Sequence, residues 1–125
     1  MPQYNRASAT LPVSDVDAAK EFYGGTLGLE LVEENAGGTY YQAGSSTVFV
    51  YPSQFAGTNQ ATAAGFEVND IEAAVAELRG KGVAFEDYDY PELKTVDGIA
   101  ELEGERIAWF KDPSGNILSL GQPSG

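Results

Sequence analysis

Two spacings of apolar residues alternate along this chain. Val16, Ala19, Phe22 and Tyr23 fall at i, i+3, i+6 and i+7, and Ile71, Ala74, Val75 and Leu78 form a second stripe at helical spacing. Elsewhere the period drops to two, over runs near 28–34, 38–43 and 46–52 in the first half. In the second half such runs fall near 83–88, 98–111 with a break at Gly104, and 116–121. Each helical stripe follows a short opening strand and an aspartate, Asp15 or Asp70, whose carboxylate can accept from free amides of the first turn. Gly24 and Gly25 are expected to end the first helix, Gly80 and Gly82 the second.

The two halves resemble each other. VSDVDAAKEF (13–22) aligns with VNDIEAAVAE (68–77), and valines, aspartates and Ala-Ala pairs coincide. The pattern predicts an α+β protein built from two tandem βαβββ modules, 1–52 and 61–125, joined by a linker at 53–60 and forming one domain.

Alternation sorts the strands by face. Ala9, Leu11, Val13, Val48 and Val50 are assigned to the helix side of the first sheet, and Ala108, Phe110, Leu118 and Leu120 to that of the second. The opposite faces then carry Ser8, Thr10, Phe49 and Tyr51 in the first half, and Ala63, Gly65, Glu67, Ile107, Trp109 and Ser119 in the second. The turn DPSGN (112–116) reverses the chain so that Ser119 stands opposite Trp109. The acidic segment 86–105 is read as a solvated, irregular loop before the last hairpin or, alternatively, as a flap over the cavity mouth with Tyr88 or Tyr90 reaching the ligand. Glu101 and Glu103 share one face of an exposed strand. Ser8, Thr10, Phe49, Tyr51, Glu67, Tyr88, Trp109 and Ser119 are therefore the candidate ligand-binding residues, an aromatic and small-polar set suited to flat or cationic organic molecules.

Composition narrows the chemistry. Nineteen acidic and seven basic residues give a formal net charge of -12, which repels nucleic acid and anionic membranes and favours cationic ligands. The same acidity also serves solubility, as in a salt-adapted host. There are no cysteines and no histidines. Thiolate chemistry, Ser-His-Asp catalysis and zinc sites of the usual kind are thereby removed, leaving only the oxygen ligands preferred by magnesium, calcium or manganese. No apolar run has the length of a membrane span, and a cytoplasmic location is expected.

Three segments carry a family resemblance: LPVSDVDAAKEFYGGTLGLELV (11–32), GFEVNDIEAAVAELRGKGVAF (65–85) and AWFKDPSGNILSL (108–120). Together they resemble the vicinal oxygen chelate superfamily of glyoxalases, bleomycin resistance proteins and extradiol dioxygenases. The resemblance implies a glyoxalase-like fold whose sheets curl around a shared cavity. It also implies a divalent metal, held in the family's enzymes at positions corresponding to Ser8, Ala63, Ser119 and the neighbourhood of 49–51. None of these is a His, Gln or Glu, so no metal, cofactor or catalytic residue is expected. The reading favoured is a metal-free binder of a small aromatic or cationic ligand, working as a homodimer and resembling the drug-sequestering members. A glyoxalase-type lyase or isomerase and a non-catalytic structural subunit are the alternatives.

Overall fold

The computed structural model describes residues 1–123. The chain divides into two compact units, one of 1–58 with 113–116 and one of 59–112 with the residues from 117 onward. Among the described residues no helix is long and apolar enough to cross a membrane.

In the first unit, β1 (Ser8–Val13) leads into α1 (Val16–Lys20), and β2 (Glu30–Asn35), β3 (Gly38–Ala43) and β4 (Ser46–Pro52) follow. The sheet order is β1-β4-β3-β2, with β1 parallel to β4 and the other pairs antiparallel. The second unit runs β5 (Thr62–Glu67), α2 (Ile71–Gly80), β6 (Asp89–Tyr90), β7 (Leu93–Val96), β8 (Ile99–Leu102), β9 (Glu105–Lys111) and β10 (Ile117–Pro123). Its opening strand likewise pairs parallel with its last, in the order β5-β10-β9-β8-β7-β6. The α+β architecture of two glyoxalase-like sheets follows the sequence pattern, with a β6–β7 hairpin added to the second.

The repeat is visible in atomic detail at the helix starts. Asp15 and Asp70 both have extended backbones, and each Oδ1 accepts from the amide three residues on, Ala18 or Ala73, at 3.1 Å. Behind these caps most of the predicted stripes are buried: Ala19, Phe22 and Tyr23 in the first unit, Ile71, Val75 and Leu78 in the second, with Ala74 half-buried. They meet Leu11, Val13, Tyr41, Val48 and Val50 on one sheet and Ala108, Phe110, Leu118 and Leu120 on the other, all buried.

Local departures have physical causes. Val16 lies in the first turn of α1 and remains exposed. Gly24 and Gly25 do not stop the helix, because the chain widens into a π-helical turn (Glu21–Thr26) in which Leu27 N–H donates to Phe22 O at 2.8 Å. That turn leaves the consecutive Phe22 and Tyr23 both buried, their rings edge to face at 5.2 Å.

The strand expected at 83–88 is reduced to one bridge between Phe85 and Phe110, with Glu86 N–H on Trp109 O at 2.8 Å. The pairing there is short because β8 holds that side of β9 only as far as Ala108. The acidic stretch read as a loop contains the unexpected β6 and β7, while β8 falls in the strand run expected from 98. Asp97 (φ 55) and Gly98 (φ 82) form the tight turn between the last two of these. Glu103 stands at a left-handed turn position (φ 47) rather than on a strand beside Glu101.

Candidate functional site

The face of the first sheet opposite α1 is built by register. Thr10 pairs with Phe49 and Pro12 with Tyr51 on β1–β4, while Phe49 pairs with Tyr40 on β3. Directly paired residues share a face, so Ser8, Thr10, Phe49 and Tyr51 come together as the sequence predicts, and Tyr40 joins them. The three rings form a ladder: Tyr40 to Phe49 at 4.5 Å between centroids, Phe49 to Tyr51 at 6.0 Å and nearly parallel at 12°. Arg6 lies over the far end, its guanidinium carbon 4.4 Å from the Tyr40 ring centroid. Gly38 makes room for the ladder, since a Cβ there would stand 2.8 Å from the Phe49 ring and 2.3 Å from the Val50 carbonyl oxygen. Thr10 is exposed, and the half-buried Ser8 has its hydroxyl hydrogen-bonded to that of Thr47.

The second sheet repeats the device with other residues. Ser119 pairs with Trp109 on one side and Gly65 on the other, and Gly121 pairs with Ile107 and Glu67. All of these share the face away from Ala108 and Leu118. A Cβ on Gly65 would come within 3.0 Å of Ser119 Oγ, so the serine hydroxyl lies over that glycine. Tyr88 meets Trp109 edge to face at 5.4 Å, and Tyr90 stacks on Tyr88 at 6.1 Å. A second three-ring array results. The indole N–H donates to Thr62 Oγ1 at 3.2 Å. A register shift opposite β10 leaves Ala63 without a paired residue beside Thr62. Glu67 is exposed at the end of β5. Burial, followed by the charge of Glu86 and then Tyr90, raises the Tyr88 pKa above its ordinary value.

Sequence alternation missed Tyr40, Thr62 and Arg6. Tyr40 had a signal, because it lies one strand from Phe49 with the same parity. Thr62 depends on a bulge and Arg6 on the path of the N-terminal segment, neither of which has a period.

The positions at which the resemblance implies metal ligands do not fit a divalent cation. Ala63 has no donor atom, 49–51 is Phe-Val-Tyr, and the hydroxyl of Ser8 is engaged with Thr47. Ser119 supplies one neutral hydroxyl where a carboxylate would be needed. Among the described residues no three acidic side chains converge on a point that could hold an ion.

Residues 6–120 match the family model of the Glyoxalase/Bleomycin resistance protein/Dioxygenase superfamily, and the chain belongs to that superfamily. TnmS3, an antibiotic binding protein from Streptomyces sp. CB03234, is 24% identical with a TM-score of 0.70, covering 99% of each chain. A glyoxalase family protein from Enterococcus faecalis is 24% identical with a TM-score of 0.70, covering 95% of this chain and 96% of its own. Lactoylglutathione lyase from Agrobacterium tumefaciens is 19% identical with a TM-score of 0.68, covering 98% and 96%. At these identities the likeness is one of fold, which a binding protein and a lyase share. No curated protein matches the sequence.

Proposed function

We propose that this is a metal-free small-molecule-binding protein that sequesters an aromatic or cationic organic ligand, working as a cytoplasmic homodimer. The observation that carries the reading is that each sheet bears three aromatic rings on its helix-free face, Tyr40–Phe49–Tyr51 on one and Trp109–Tyr88–Tyr90 on the other. Such rings offer π faces for stacking and for cations. Ser8, Thr10, Ser119 and Glu67 supply hydroxyls and one carboxylate beside them. A net charge of -12 concentrates cations around the molecule. TnmS3, named as an antibiotic binding protein, adds a precedent within the same fold. The edge strand β2, whose residues are all exposed and include Leu31 (46%) and Val32 (42%), supports self-association.

The chain has one tryptophan, so fluorescence excited at the red edge, where tyrosine does not absorb, reports on Trp109. Titration with a panel of planar aromatic cations and cationic glycopeptide antibiotics is expected to quench it saturably, with Tyr88→Ala, which removes the ring beside Trp109, weakening binding roughly five- to tenfold. Absence of saturable binding across the panel would sink the proposal. A stoichiometric divalent ion in purified protein would sink its metal-free part.

A further inference from the structure

The β6–β7 hairpin carries the second sheet beyond the helix that covers it. Val96 pairs with Ile99, Ile99 with Ala108 and Ala108 with Leu120, so these four make one row across the face bearing α2. Ala108 and Leu120 are 0% and 4% exposed, whereas Val96 is 79% exposed. The helix packs on β9 and β10, and the β7–β8 end of the face is left open. A groove of about 660 Å³ lies there, within the size range of small-molecule sites. Its apolar floor is Val75 and Ala76 of α2 with Val96 and Ile99 of the sheet. Because Trp109 belongs to the opposite face, this groove is separate from the aromatic site.

Its charge is unusual for this protein. Arg79, Lys94 and Arg106 all line it, three of only seven basic residues in the chain. Glu72, Asp97 and Glu101 line it as well, so the groove is close to neutral within a strongly acidic molecule. Arg79 is committed, bonding the carboxylate and the carbonyl of Asp97 at 3.2 Å each. Lys94 has only a loose contact, 3.9 Å to Asp89 with both side chains mostly exposed. Arg106 gives Nη2 to Glu72 at 2.7 Å, but its buried Nε has no hydrogen-bond partner. The nearest Glu101 oxygen, at 3.9 Å, is beyond reach. This is the one such buried side-chain atom among the described residues. A buried charged donor without an acceptor is costly, and a turn of the Arg106 side chain that brings Nε to an acceptor in the groove relieves that cost.

We propose that this groove binds a small amphipathic monocarboxylate. Its carboxylate accepts from Arg106 Nε–H once the guanidinium turns toward the groove, and its alkyl body lies on Val96, Ile99 and Val75. A carboxylate makes the stronger, charge-assisted bond to a guanidinium than a neutral carbonyl does. A single negative charge is specified because Glu72 and Glu101 flank Arg106 and repel a second one.

The test is binding of octanoate to the full chain, by calorimetry and by amide NMR, beside octanol and octylamine. Saturable one-to-one binding of octanoate is expected, with shifts in α2 and β7–β9 residues that line the groove. Octanol and octylamine should bind at least roughly tenfold more weakly, and Arg106→Gln should lower octanoate affinity by roughly tenfold or more. Val96 is so exposed that Val96→Asp leaves the fold intact, and it should abolish binding by placing a charge on the apolar floor. The proposal is overturned if octanoate shows no saturation by about 10 mM. It is equally overturned if octanol or octylamine binds as well, if shifts gather around Trp109 instead, or if Val96→Asp binds octanoate unchanged.

Discussion

Asn116 donates from Nδ2 to the carbonyl oxygen of Pro12 at 2.7 Å, across 104 residues of sequence. Asn116 is 1% exposed, and two residues earlier Ser114 Oγ accepts from the amide of Ser14 at 2.9 Å. The turn at 113–116 thus belongs to the first unit and closes the end of β1. Beyond reversing the chain, its polar residues satisfy backbone groups that leave the sheet at Pro12 and Ser14. Asn116→Ala leaves the part-buried Pro12 carbonyl without this donor. Urea denaturation is expected to show a loss of about 1–3 kcal/mol, and a change within 0.3 kcal/mol or so would contradict this role.

Gly38→Ala tests the aromatic ladder of the first sheet. The added methyl meets the Val50 carbonyl at 2.3 Å and the Phe49 ring at 2.8 Å, so backbone or ring must move. Destabilisation of about 1–3 kcal/mol is expected, with altered near-ultraviolet dichroism as Phe49 and Tyr40 lose their geometry. An unchanged spectrum at full stability would show that Gly38 does not set the ladder.

The two helix caps should be energetically alike. Asp15→Ala and Asp70→Ala each remove one carboxylate acceptor from the same position of equivalent helices. Each is expected to cost about 1 kcal/mol by thermal or chemical denaturation. Since Asp15 and Asp70 lie far apart in sequence and share no partner, the double variant should lose about the sum. A marked departure from additivity would reveal coupling.

Alkaline pH should weaken the fold through two tyrosines. Burial, the largest cause at both, raises the pKa of Tyr41 and Tyr88 above the ordinary 10.0. The folded state then keeps protons that the unfolded state loses, and stability falls with rising pH once it passes about 10. Tyr88→Phe and Tyr41→Phe, followed by denaturation midpoints between about pH 9 and 11, should each flatten that decline. A decline equally steep in both variants would assign it elsewhere.

Much of the fold was legible because its signals are local. Helical spacing, an aspartate before each stripe and strict alternation located α1, α2 and most strands, and the repeat gave the tandem plan. The π-helical turn was hidden because glycine pairs commonly end helices, and here the pair Gly24-Gly25 is carried through one. The β6–β7 hairpin was hidden because Leu93-Lys94-Thr95-Val96 alternates over only four residues amid acids and beside Pro91. Among the candidate residues, parity alone put Phe49 with Tyr51 and Trp109 with Ser119. Arg6, Thr62 and the α2–β7 groove required knowing which strands lie side by side.

The sequence by itself determined periodicity, capping, charge and the absence of histidine and cysteine, and hence the class of fold and the chemistry that the aromatic faces lack. These are properties of residues and their near neighbours along the chain. Tertiary structure decided that Tyr40 extends the Phe49 ladder, that Asn116 closes on Pro12, and that Arg106 keeps a buried donor unpaired beside an open apolar floor. Each of these depends on strand order and register, which bring distant residues within a few ångströms of one another and which no local pattern encodes.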